Sequence, residues 1–152
     1  MFYFVVRHLR WAARVPGFPH LFDGLLLART WLFQHARIGA MELLEAEALR
    51  LPGVRLKVHR LGGVEFVEKA GHELGHLHGH GLLDVCVGRE AAAVLLSRGR
   101  VLHHHVFPCS KWVSYQIQRR EDVPMALELL KLAQTRLADH VASISPTTPL
   151  DY

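Results

Sequence analysis

The sequence is poor in cysteine and has no long apolar run. Only Cys86 and Cys109 occur among 152 residues, too few for a disulfide scaffold, which points to reduced thiols and a reducing compartment. No stretch approaches the ~20 apolar residues of a membrane-spanning helix. The apolar opening at residues 1–6 comes before its arginines, Arg7 and Arg10, the reverse of a secretory signal, so the expected location is cytoplasmic. There is no internal repeat, phosphate loop, dinucleotide fingerprint, Gly-x-Ser-x-Gly or Cys-x-x-Cys. A net charge of +4 with scattered arginines and lysines places nucleic acid last among partners, although a pI of 9.4 permits an anionic one. Half of the residues are hydrophobic, which excludes intrinsic disorder. The length suits one domain, or a small domain with an appendage.

What the sequence has in excess is histidine. There are twelve, and seven of them (His72, His76, His78, His80, His103, His104, His105) fall between residues 72 and 105.

Pro16-Gly17-Phe18-Pro19 divides the N-terminal region into helices expected at about 2–14 and 20–37. Met41, Leu44, Ala48 and Leu51 recur at helical spacing and predict a third helix at about 40–51. The period then becomes two. Val54, Leu56 and Val58 alternate with Arg55, Lys57 and His59, a strand with one buried face. Gly62-Gly63 turns it into a partner strand from Val64 to Lys69. Further strands are expected over 72–78, 82–87 and 112–118, a short helix over 89–98, and a loop from His103 to Ser110. A last helix begins near Asp122 with core positions Ala126, Leu129, Leu130, Ala133 and Leu137.

This order predicts an α+β fold: an antiparallel β-sheet packed on one face by helices, loosely YjbR-like, with an N-terminal helical segment. The expected division is 1–50 helical segment, 51–140 α+β domain and 141–152 flexible tail. Residues 1–38 mix Phe2, Phe4, Trp11, Trp31 and Phe33 with Arg7, Arg10, Arg14 and Arg29. Such helices pack on the domain or pair two subunits as a homodimer; weak contact with a membrane surface is the minority reading.

In a strand, residues two apart share a face, so His72, His76 and His78 project together, with His80 if the strand continues. Asp84 on the next strand and His104 and His105 from the loop can join them. Three readings stay open. The histidines line a solvated face; or His76, His78, Asp84 and His104 hold zinc or iron; or the imidazoles act as general bases beside Asp84 and no cofactor is needed. The string His72-Glu73-Leu74-Gly75-His76 spells a zinc-protease motif, but its glycine and those at 71, 79 and 81 speak against the helix that motif requires. Trp112 either stacks on a flat ligand or packs against the N-terminal helices.

Several strings together resemble the luciferase-like domain family. They are Glu73-Leu74-Gly75-His76-Leu77-His78-Gly79, Gly81-Leu82-Leu83-Asp84-Val85, His104-His105-Val106-Phe107-Pro108, Trp112-Val113-Ser114 and Glu121-Asp122-Val123. The resemblance covers roughly residues 50–138. It departs at His80, Cys109 and Lys111, where the bacterial pattern carries an acidic residue, Asp and Gly. Fungal members oxidise a hydroxylated pyrone with oxygen and need neither flavin nor metal for the light step. The resemblance therefore implies a small planar phenolic or enol-type substrate and a cofactor-independent oxygenase. It assigns His78, His104, His105 and Asp84 as catalytic, and His76 and Trp112 as substrate-binding.

Overall fold

The computed structural model describes residues 15–144; the helix expected at 2–14 lies outside them. Helix α1, Phe18–Phe33, begins where Gly17 takes a φ of 79° and Pro19 sits in the first turn, a place where its missing N–H costs nothing. It ends at Gln34, whose φ of −143° breaks the helical path. Helix α2, His35–Ala48, follows at once, so the break falls inside the helix expected over 20–37. The residues α2 buries, Ala40, Met41, Leu44 and Ala48, are the expected stripe except for Leu51.

The remaining elements are β1 Arg55–Val58, β2 Val64–Val67, β3 Glu73–Leu77, β4 Leu82–Cys86, α3 Arg89–Ser97, β5 Leu102–His103, β6 Trp112–Gln116, a 3-10 turn Arg120–Asp122 and α4 Val123–Ile144. The six strands form one antiparallel sheet in the order β1-β2-β3-β4-β6-β5, and the fold is α+β as expected. The two-residue strand β5 overlaps the start of the stretch expected as a loop at His103. It is too short to show a period. Helix α4 runs to Ile144, past residue 140, where the tail was expected to begin.

One face of the sheet carries the core. Phe66, Leu77, Leu83, Val85 and Val113 pack against Leu44 of α2 and Ala126, Leu129, Leu130 and Ala133 of α4, all at most 3% exposed. Each fully buried leucine is worth roughly 1.5–3 kcal/mol, so this layer fixes which way every strand faces. Strand alternation sends His76, Asp84 and Ser114 to the other face, where they are cross-strand partners in one row.

Helix α1 closes the end of that second face. Leu26 and Phe22 pack on Leu82, and the helix comes so near the β3–β4 turn that a Cβ on Gly79 would lie 2.7 Å from the Asp23 carbonyl oxygen. The N-terminal helices are thus part of the domain's own packing. The outward side of α1 leaves Leu21, Leu25, Trp31, Leu32 and Phe33 exposed.

Candidate functional site

Asp84 lies at the centre of β4 with no solvent exposure. A buried carboxylate needs compensating partners, and five side chains converge on it. Ser114 Oγ donates to Oδ1. Around Oδ2 stand His78 Nε2 at 3.2 Å, His105 Nδ1 at 3.2 Å, His76 Nε2 at 3.4 Å and His104 Nε2 at 3.9 Å. His76 of β3, His78 just after it, and His104 and His105 of the loop after β5 are therefore all brought to Asp84.

The cluster extends both ways. His76 Nδ1 meets Glu73 Oε1 at 2.6 Å, and His59 stacks flat on the His76 ring at 4.1 Å, its Nε2 3.9 Å from Glu73. On the other side His78 Nδ1 lies 3.7 Å from Asp23 Oδ1 of α1. His80, in the β3–β4 turn, has its ring 5.9 Å from that of His78. Trp112 packs on the imidazoles of His76 and His104, at 5.7 and 6.0 Å between ring centres.

His72 departs from the expectation. It is exposed and pairs with Glu68 at 2.8 Å. The cause is a bulge. Phe66 pairs with Gly75 and Val67 with Glu73, so one step on β2 spans two on β3, and Leu74 is the inserted residue. Leu74 joins the core. Glu73, instead of His72, then shares the face of His76. His59 departs too: the alternation predicted for β1 ends at Val58, which is 77% exposed, while His59 is 6% exposed. Its backbone closes the five-residue turn to Gly63 and turns the ring inward.

The charges follow from these contacts. Burial opposes ionisation of Asp84, but hydrogen bonds from His105, His76 and His78 outweigh it and hold the carboxyl far below the usual range. Burial also opposes the charge on His76, and the bonds to Asp84 and Glu73 reverse this, raising its pKa to about 9. His78 is raised despite burial by bonds to Asp23 and Asp84. Desolvation prevails at His59, His80 and His104, each lowered to about 4. At neutral pH the centre thus holds a cationic His76 against ionised Asp84 and Glu73, with His78 shifted in the same direction and neutral His59, His80 and His104 around them.

Hydrogen bonds also fix tautomers. His104 Nδ1 accepts the backbone N–H groups of Val106 and Phe107, both at 3.1 Å, so a neutral His104 carries its proton on Nε2, towards Asp84. At His105 the nitrogen nearest Asp84 is Nδ1, so the carboxylate favours a proton there and leaves the lone pair on Nε2.

Three overlapping sets (His59, Glu73 and His76; His76, His78 and Asp84; Asp84, His104 and His105) place their donor atoms within 4.8 Å of one another. Nitrogen with one carboxylate oxygen is a donor set that suits zinc or non-haem iron.

Asp23, Glu73 and His59 were not apparent from the sequence. Asp23 had a signal: on α1 it falls at i, i+3 and i+7 with the buried Leu26 and Thr30, an acid on an inward stripe.

The fold and site define a small α+β domain built round a buried histidine–aspartate centre. Residues 71–133 match the family model of the Luciferase domain. The matched stretch runs from the start of β3 into α4 and contains Asp84 with all four histidines that surround it. No curated protein and no solved structure matches the chain.

Proposed function

We propose that the centre binds a small planar phenol or enol, removes its acidic proton and so prepares it for reaction with oxygen. The observation that carries this reading is the pairing of Asp84 with two kinds of imidazole. His105, with Nδ1 turned to the carboxylate, is the base and takes the proton on Nε2. His76, kept cationic by Asp84 and Glu73, stabilises by its charge the oxyanion that remains, and His78, raised by Asp23 and Asp84, stands beside it. His104 has its acceptor nitrogen engaged by two backbone amides, so it orients and donates. Trp112 flanks the ring. The anion supplies the electrons for its own oxidation, and dioxygen supplies the oxygen atoms.

The test uses 4-nitrophenol, titrated spectroscopically below its own pKa. A red-shifted phenolate band on binding, lost in His105→Ala and Asp84→Asn but retained in His72→Ala, is the expected result. Binding of the neutral phenol alone, or a band unchanged in His105→Ala, would overturn the assignment.

One observation favours a second reading: within each of the three sets the donor atoms lie within 4.8 Å of one another, a spacing from which zinc or iron could draw ligands. Elemental analysis of protein purified without a histidine tag or nickel column separates the two. Stoichiometric metal supports a metal-binding module, and metal-free protein that still ionises the phenol supports the base.

A further inference from the structure

A cleft of about 500 Å³ opens beside the centre and shares Glu73 and Trp112 with it. That volume is within the roughly 300–1,000 Å³ of small-molecule sites. Trp112, Ala133 and Leu137 give it apolar walls, and Lys111 and Arg136 bring two cationic side chains to the same space. Lys111 has no carboxylate within 4.0 Å among the described residues, and Arg136 reaches only the exposed Glu90, at 4.0 Å.

Arg136 is seated by the backbone. Gly88 has a φ of 85° and ψ of 158°, a conformation open almost only to glycine. A Cβ there would lie 2.5 Å from Arg136 Nε, so the missing side chain is what lets the guanidinium lie against the chain. The one acid on the cleft wall, Glu73, is already engaged by His76 at 2.6 Å.

We infer that this cleft is a binding site for a small flat carboxylate, with Trp112 against its ring and Arg136 and Lys111 on its anionic end. A planar guanidinium and an ammonium together match a carboxylate in geometry and charge. The inference goes beyond the proton chemistry at Asp84 and does not depend on it, since neither cationic residue takes part there.

The chain provides its own reporter. Cys86 lines the cleft, whereas Cys109 is exposed and does not line it. Alkylation of each thiol by iodoacetamide, followed by mass spectrometry, is measured with benzoate or its amide, benzamide, neither of which carries a phenol for the Asp84 centre. The acid is expected to slow Cys86 and leave Cys109 unchanged, with the amide affecting neither. In Lys111→Gln and in Arg136→Gln, each compared with its own unliganded rate, half-protection should need about tenfold more acid, as loss of one charge-assisted bond implies. Equal protection by acid and amide, protection undiminished in both variants, or no protection at all would overturn the inference. The nitrophenol experiment is unaffected by that outcome, so the two readings fail separately.

Discussion

Asp23 Oδ1 accepts the backbone N–H of Gly79 at 2.9 Å, across 56 residues of sequence. This bond fastens α1 to the turn that carries His78 and His80, and the same carboxylate oxygen stands 3.7 Å from His78 Nδ1. The helix is held where it is because position 79 has no side chain. A Cβ there would meet the Asp23 carbonyl oxygen at 2.7 Å and Leu27 N at 2.8 Å, both backbone atoms of a packed helix.

Gly79→Ala is therefore expected to push α1 outward, destabilise the fold by about 1–3 kcal/mol, and weaken the hold of Asp23 on His78. Urea denaturation measures the first effect. The second should appear as a downward displacement of the His78 titration in NMR, since Asp23 is one of the groups that raise it. A variant as stable as the parent, with His78 unmoved, would show that α1 is not a support of the site.

Asp84→Asn leaves His76 and His78 without their shared counter-ion in a site where Asp84 itself has no exposure. Breaking a buried pair from one side costs about 3–5 kcal/mol. His76 should then titrate well below the value of about 9 that Asp84 and Glu73 maintain. Ser114→Ala removes one hydrogen bond to the carboxylate and is expected to cost less, about 1.5–3 kcal/mol. Equal losses for the two variants, in matched denaturation curves, would show that packing rather than charge explains the sensitivity at 84.

The part of the centre legible in the sequence is the part governed by strand alternation. His76, Asp84 and Ser114 share a face because each is flanked by residues the core requires, Leu77, Leu83, Val85 and Val113. Trp112 and Ser114 follow from the same parity on β6. Alternation fails where the backbone departs from it. The inserted Leu74 reverses the parity upstream of Gly75, so Glu73 turns in and His72 turns out. The tight turn after Val58 brings His59 inward by backbone hydrogen bonds that no side-chain pattern records. Asp23 belongs to a different class. Its role depends on how α1 docks, and docking is set by Gly62 and Gly79, which read locally only as turn residues.

The loop that delivers His104 and His105 is organised by a side chain. His104 Nδ1 accepts two successive backbone N–H groups, and His103 Nδ1 bonds the Pro108 carbonyl at 2.8 Å. Replacing His104 with Ala leaves both amides without that acceptor, at a cost of about 1–3 kcal/mol each where they stay buried. Amide hydrogen exchange at Val106 and Phe107 should accelerate strongly, while Val85 and Val113 in the central strands keep their protection. Uniform acceleration would mean global destabilisation. No acceleration would mean that the loop is held by other contacts.

The centre makes stability depend on pH in both directions. His76 is raised from 6.5 to about 9 by folding, so the folded state binds a proton that the unfolded state releases between those values. Its contribution is complete below pH 6.5 and is lost as pH rises through about 9. His59, His80 and His104 are lowered from 6.5 to about 4 by burial. In that window the unfolded chain takes up protons that the folded one refuses. Their effect is therefore complete above pH 6.5 and disappears as pH falls through about 4. Thermal unfolding across pH 4 to 9.5 should give a maximum near neutrality and decline on both sides. In a His59→Phe variant, which keeps a flat ring on His76 but cannot ionise, the acid limb should become shallower and the alkaline limb stay as it was. A curve flat from pH 6.5 to 9 would mean that His76 is not cationic at neutral pH, and with it would go the positive charge on which the proposed oxyanion relies.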